Sequence, residues 1–509
     1  MTTGFITPTR LAALAALPLA LAAVVYFPIT GNYFIEDDFL FLYRIVNGNW
    51  LQNLLTHHGG HILIARNAVF WLFHTLFGTA AAWYFAVVLL THLLNVYLLF
   101  AVIRGQTGNA PLACFGAALW GTCRLNEGAL GWYAVYGQVL VGTCFLWFLY
   151  DLTRIGAGAP LPRYASVRWM LLLGVAATSF GVGLAVALVS PLLAWLLLPA
   201  SRARTLTVRA LCAVALAIPL LYVGTQRLAA SLYGVRSSVP FLMATIYNPA
   251  MVAAFTAGVV LYGVTGLCLG VFAPAGVYNP TSLVVGAFLL TALIVALARS
   301  PTPVRARLAA YAVAALACYG SVALGRGLIR PDSIGVPRYQ YVALLPVVLL
   351  LSELVGYATS FLRSAQAAVL VVAALATPLL SYARNQKPLY SSTQARRETQ
   401  ITLQRIRALA AAQPGDGPAC IRNGDFGSVR PGIPARTDFP GWAALYAIFE
   451  PSNEIGGRRI YFLEQDQDVV AAAAGGRRSG ELIVPSERFD ALGCRDPVLQ
   501  RMQRPQPPG

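Results

Sequence analysis

Long apolar runs recur along the first three-quarters of the chain, and they leave it few ways to fold. About 20 apolar residues of helix cross a hydrocarbon core of roughly 30 Å, and a helix pairs its backbone N–H and C=O groups internally, as lipid demands. With 57% hydrophobic and 11% charged residues and a mean hydropathy of +0.63, the chain lies outside the range of soluble domains. The first run, residues 11–30, follows Arg10 and has no convincing small-residue cleavage site after it, so it reads as an uncleaved signal anchor.

A net charge of +17 raises nucleic acid as a partner, and the distribution of the charge argues against it. Arg10, Arg104, Arg154, Arg163, Arg168, Arg202, Arg204, Arg209, Arg299, Arg305, Arg307 and Arg363 sit in short segments between apolar runs. That is the pattern of cytoplasmic loops under the positive-inside rule, and it places the N-terminus in the cytoplasm. Further crossings are expected at 79–103, 110–122, 138–152, 207–224, 282–298, 308–325, 339–356 and 367–382. Two more fall within 169–200, split at Ser179, Gly181 and Gly183. Residues 62–78 mix Arg66, Asn67 and His74 with large apolar residues, as a helix lying in the interface does. Residues 251–271 are expected to be re-entrant or interfacial, because a full crossing would put Arg299, Arg305 and Arg307 outside.

The expected fold is an all-α polytopic membrane domain of about eleven transmembrane helices over 1–383. A small external α/β domain over 384–509 follows, with an amphipathic helix at 394–412, strands near 459–463 and 481–484, and a Pro-rich end. Cys114, Cys123, Cys144, Cys212, Cys268 and Cys318 accompany apolar runs and read as small core residues. Cys420 and Cys494 could form a disulfide if the tail is outside the cytoplasm.

Acids are scarce before residue 383: Glu36, Asp37, Asp38, Glu127, Asp151, Asp332 and Glu353. Asp151 reads as a local ion pair with Arg154, and Glu353 as structurally partnered. The other five fall on loops assigned to the external face, where a carboxylate must be solvated, paired or used. Three adjacent carboxylates between apolar residues repel one another, which raises a pKa and suits a general base. Capping of a helix that begins near Phe39 explains Asp37 or Asp38 equally well.

The order of first span, external Asp37-Asp38-Phe39, Gly59-Gly60-His61, an interfacial helix ending in Leu76-Phe77-Gly78, and an aromatic-rich span with His92 and Asn95 resembles the GT-C membrane glycosyltransferases. The protein-O-mannosyltransferase-like and aminoarabinose-transferase-like branches are the most similar. Glu127 with Trp132 resembles the second acidic loop of that family, and Arg338-Tyr339 an Arg-Tyr element at the start of a late span. The resemblance implies a polyprenyl-phosphate-linked sugar donor and a lipid, glycan or protein acceptor. It also implies an acidic residue on the first external loop that activates the acceptor. The strict Asp-Glu pair of the family is absent; Asp37-Asp38 stands in its place.

A polyprenyl phosphate needs fixed cations at the interface, and arginine suits it through its bidentate geometry. Arg326, Arg330 and Arg338 are expected together on one external loop, against the topology bias; headgroup anchoring and pairing with Asp332 are the competing readings. His57, His58 and His61 raise a divalent metal near Asp37, Asp38 and His61, although their spacing is not a zinc signature. Trp132, Tyr133 and Tyr136 could stack on sugar rings or belong to an aromatic belt.

The resemblance, with these residues, implies an inverting glycosyltransferase, expected in a bacterial inner membrane. Asp37 is the expected base, Asp38 and Glu127 the helpers, and Arg326, Arg330, Arg338, Tyr339, His61 and Trp132 the substrate contacts. A second reading, from another class, is a transporter or flippase of a lipid-linked glycan, which would show inverted repeats and intramembrane charges. A third is an inactive scaffold whose C-terminal domain binds partners.

Overall fold

The computed structural model describes residues 7–358 except 36, 56–60, 162, 234–247, 270–279 and 327–333, then isolated residues between 369 and 376, and 392–413, 416–422, 454–455, 457–464 and 483–485. Helices dominate: α1 (Pro8–Tyr26), α2 (Asp37–Asn47), α3 (Trp50–Leu55), α4 (Ile64–Phe77), α5 (Ala81–Thr107), α6 (Ala110–Gly121), α7 (Glu127–Leu130), α8 (Tyr136–Gly156), α9 (Ala165–Ser179), α10 (Gly181–Leu197) and α11 (Arg202–Tyr233). After them come α12 (Pro249–Leu269), α13 (Pro280–Arg299), α14 (Thr302–Arg326), α15 (Gln340–Ala358) and α16 (Ser392–Ala411).

Local sequence explains the joints. Thr7 accepts from the Arg10 N–H at the start of α1, with Pro8 as its first residue. Gly108 adopts φ 67° and closes α5, and Asn109 caps α6 by accepting from Leu112 N–H. The chain thereby reverses within two residues, a hairpin between two apolar helices.

Eight helices among the described residues are long and apolar enough to cross a membrane. Three expected crossings, at Ala110–Gly121, Ala165–Ser179 and Gly181–Leu197, are shorter, and the one expected at 367–382 lies almost wholly outside the described residues. Small residues let the helices approach: a Cβ at Gly116 would lie 2.7 Å from Ile103 Cδ1 and 2.8 Å from Ser352 Oγ.

Two contacts orient the bundle. The Tyr311 hydroxyl donates to Gln106, and Arg307 Nε donates to Glu353 Oε1 at 2.8 Å. Arg104, Arg299, Arg305 and Arg307 therefore share one end. Glu127 and Arg338 lie at the other, where Gly128 packs on the Pro337–Arg338 backbone. The segment expected to be re-entrant is instead one continuous helix, α12, whose far end meets the second end: a Cβ at Gly266 would lie 2.6 Å from Leu125 Cδ1. Its glycines admit neighbouring side chains, so it packs into the bundle. Both α11 and α12 run toward this end, since Tyr222 OH accepts from Ile62 N–H, and the basic cluster keeps the end the charge rule asks for. Asp151 pairs with Arg168 and accepts from Trp169 Nε1 rather than pairing with Arg154.

In the C-terminal segment, β3 (Arg458–Glu464) is flanked in parallel by β1 (Ala419–Arg422) and β4 (Ile483–Pro485), and β2 (Glu454–Ile455) joins it antiparallel. Cys420 is disulfide-bonded; Cys494 lies outside the described residues.

The Arg307–Glu353 pair gives a stability prediction. Glu353 is 4% exposed and Arg307 23%, so removing one partner strands a charge. Glu353→Leu and Arg307→Met should each cost about 3 kcal/mol, and the double variant should recover most of it. Thermal unfolding in detergent measures both, and additive losses would refute the pairing.

Candidate active site

The site end is built around the chain between α6 and α8, where short 3-10 turns at Arg124–Asn126 and Tyr133–Val135 flank α7. Asp38 is fully buried. Its Oδ1 accepts from Ala134 N–H at 2.5 Å and its Oδ2 from Ile35 N–H at 2.9 Å. Both oxygens are therefore occupied: Oδ1 ties the first loop to this segment, and Oδ2 holds the loop's own backbone just before α2. Asp38 is the second residue of α2 and so does not stand at its N-cap; its bond to Ile35 N–H reaches back before the helix as the second bond of a capping box does. Burial pushes its carboxyl well above the usual range, the two N–H donors and Arg66 pull it down, and Asp37 adds to the rise.

Asp37, in the first turn of α2 and only half-buried, is the more accessible carboxylate. Both acids favour the helix N-terminus electrostatically. Glu36 lies outside the described residues.

Two arginines that sequence reasoning passed over stand beside this pair. Arg66 on α4 is 1% exposed, with its Cζ 3.6 Å from the centroid of the Phe41 ring. Arg44, also buried, approaches the same ring at 5.8 Å. Nε, Nη1 and Nη2 of Arg66 have no hydrogen-bond partner among the described residues. Burial lowers its pKa to about 9, against the pull of Tyr133, Asp37 and Asp38. A Cβ at Gly137 would lie 3.3 Å from Arg66 Cγ and would overlap the Ser179 carbonyl, so this arginine is wedged between α8 and the end of α9. The Tyr133 hydroxyl and Ser179 Oγ are likewise buried and without hydrogen-bond partners among the described residues. The signal for Arg44 was in the sequence: Asp37, Phe41 and Arg44 are spaced four and three apart, one face of a helix.

Glu127 pairs with Arg124, Nε to Oε2 at 3.2 Å, and its side chain is 14% exposed. Burial raises its pKa to about 7, with Arg124 opposing. A Cβ at Gly128 would overlap the Arg338 backbone nitrogen and come within 2.9 Å of Pro337 C, so only glycine permits this approach. The Arg338 guanidinium lies 5.1 Å from the Trp132 ring and 5.2 Å from that of Tyr339. The structure thus joins Glu127, Trp132, Arg338 and Tyr339, and links them through one segment to Asp37 and Asp38.

The remaining candidates are placed differently. Arg326 ends α14 at the same end, its Nε buried without a hydrogen-bond partner among the described residues; Arg330 and Asp332 lie outside them. His61 packs its ring 5.0 Å from Phe180, against Gly181; His57 and His58 are outside the described residues. Among the described residues, no three His, Cys, Asp or Glu side chains gather as a cation site. Tyr133 and Tyr136 stack on each other at 5.5 Å, and Tyr133 meets Phe70 and Tyr84 edge-on at 4.5 and 4.9 Å. They belong to an aromatic core, which takes their rings away from sugar stacking.

No protein-family model matches the chain, and no curated protein does. Two solved structures are similar to it. The archaeal oligosaccharyltransferase AglB from Archaeoglobus fulgidus, in complex with an inhibitory peptide and a dolichol-phosphate, is 12% identical, with a TM-score of 0.43 over 94% of this chain and 70% of that one. ArnT from Cupriavidus metallidurans, bound to undecaprenyl phosphate, is 13% identical, with a TM-score of 0.37 over 96% of this chain and 91% of that one.

Proposed function

We propose that this chain is an inverting membrane glycosyltransferase that moves a sugar from a polyprenyl-phosphate donor to an acceptor on the external, periplasmic side. The carrying observation is the Arg66 guanidinium, fully buried with no hydrogen-bond partner among the described residues and set beside a carboxylate pair. A buried cation costs several kcal/mol unless an anion answers it, and a phosphate satisfies a guanidinium in bidentate fashion. Asp38 is committed to two backbone N–H groups, so it does not supply that anion freely.

In this reading Asp37 accepts the proton of an acceptor hydroxyl or amine. The freed electron pair attacks the anomeric carbon from the face opposite the phosphate. The bond from that carbon to the phosphate oxygen breaks, and its electrons leave on the polyprenyl phosphate, whose charge Arg44, Arg66 and Arg338 take up. Asp38 holds the two loops together, Glu127 orients the acceptor, and Arg326 extends the cationic rim; Arg330 is assigned to the donor phosphate from the sequence alone. His61 and Trp132 border the acceptor side. The basic residues at the far end support a cytoplasmic face there, and the disulfide at Cys420 suits an oxidising compartment for the C-terminal domain.

Three outcomes test this. Asp37→Asn should lower glycosyl transfer in membranes by about 100-fold or more with expression unchanged, whereas Asp38→Asn should also lower thermal stability, since its amide nitrogen cannot accept. Full activity in both variants would sink the proposal. Arg66→Met should leave the ligand-free protein as stable or more so, because it deletes a buried charge, yet abolish the stabilisation that added undecaprenyl phosphate gives the wild type. Retained stabilisation would remove Arg66 from the donor site. Ionisation of Glu127 near pH 7 should make the transfer rate rise through about pH 7 and level above it. Glu127→Gln should lose that inflection, and a wild-type profile flat between pH 6 and 8 (roughly the window around that value) would rule out the role.

A further inference from the structure

Beneath the site, five helices meet at one histidine. His92 on α5 is fully buried. Its Nε2 is 2.9 Å from the Gly121 carbonyl, and its Nδ1 is 2.9 Å from the Tyr341 hydroxyl. A carbonyl only accepts, so Nε2 carries the proton. Asn95 Nδ2 donates to the Tyr341 oxygen at 3.1 Å and to the Val139 carbonyl at 3.0 Å, which leaves Tyr341 to turn its own proton onto Nδ1. Trp120 Nε1 donates to the Tyr341 carbonyl at 3.2 Å, and the Tyr26 ring meets the imidazole edge-on at 5.2 Å.

Packing alone would be served by leucine at position 92. An imidazole in an apolar bundle must have both nitrogens answered, and here each answer falls at a junction. Gly121 ends the helix that leads into Arg124–Glu127, and Tyr341 stands three residues after Arg338. Gly142 gives the network its room: a Cβ there would lie 3.1 Å from the Tyr341 ring and 3.2 Å from Asn95 Nδ2. Above it, Gly128 and the Arg338 backbone are already so close that a small shift of either segment breaks the fit.

We infer that His92 is a positioning residue whose two ring nitrogens tie the segment entering Glu127 to the helix following Arg338, and so set the separation of the two sides of the site. The purpose of that separation rests on the proposed function; the tie itself does not.

Amide hydrogen exchange of the full chain in lipid nanodiscs tests it. His92→Leu should speed exchange about tenfold or more in peptides covering 124–136 and 337–342, and leave 165–197 unchanged. His92→Gln, which keeps a donor and an acceptor, should restore most of the protection. In a Tyr341→Phe background, His92→Leu should add little. Unchanged exchange, uniform acceleration, a Gln variant no better than Leu, or additive effects would each overturn the inference. Undecaprenyl phosphate that fails to stabilise the wild type would instead refute the donor reading and leave the exchange result standing.

Discussion

Non-helical backbone inside a membrane bundle is tolerated only where its polar groups find partners, and in the segment from Trp120 to Ala134 side chains answer several of them. The Gly121 carbonyl accepts from His92, the Cys123 carbonyl from Tyr26 at 2.5 Å, and the Trp120 carbonyl from Asn126 at 2.7 Å. The Gly131 carbonyl accepts from Asn32 at 3.3 Å, and Ala134 N–H donates to Asp38. Partners come from α1, α2, α5 and the loop after α1, so the segment is fixed only once those elements have packed. Everything proposed for the site hangs on this segment, because it carries Glu127 and Trp132 and touches both Asp38 and Arg338.

Against that background the open groups stand out. Among the described residues, Arg66, the Tyr133 hydroxyl and Ser179 Oγ are buried without hydrogen-bond partners, next to a segment in which backbone groups are answered by side chains from far along the chain. Low dielectric makes an unanswered cation expensive and makes its attraction for an anion strong. A site that is incomplete in this sense stores binding energy for a group of opposite charge.

Lipid made much of the fold legible. Hydrocarbon thickness sets the length of an apolar run, and the arginine bias sets its direction, so α1, α5, α8 and α14 could be located without coordinates. The carboxylates stood out because acids are scarce there. What could not be read was which way an interfacial helix faces. Arg66 and Asn67 look like the wet side of α4, yet both are buried while Trp71, Leu72 and Leu76 are exposed; in lipid the polar face turns inward. The role of Asp38 was equally hidden, since its partner Ala134 lies 96 positions away. The path of α12 escaped too, because the charge rule applied to Arg299, Arg305 and Arg307 argued against a full crossing there, whereas the helix packs into the bundle with Gly266 and Gly263 as clearance for Leu125 and Gln340.

The two ends of the bundle use charge differently. At the end with Arg104, the acids are matched: Asp151 with Arg168, Glu353 with Arg307. Such pairs hold helices in register and ask for nothing more. At the other end one carboxylate is spent on backbone, another pairs with Arg124 at 3.2 Å, and the buried Arg66 guanidinium lies over the Phe41 ring with no hydrogen-bond partner among the described residues. Paired charges of the first kind gain little from a ligand, whereas a buried guanidinium without a hydrogen-bond partner gains from an anion placed beside it. Under the proposed transfer, in which the polyprenyl phosphate departs and Asp37 takes the acceptor's proton, that gain would fall on Arg66.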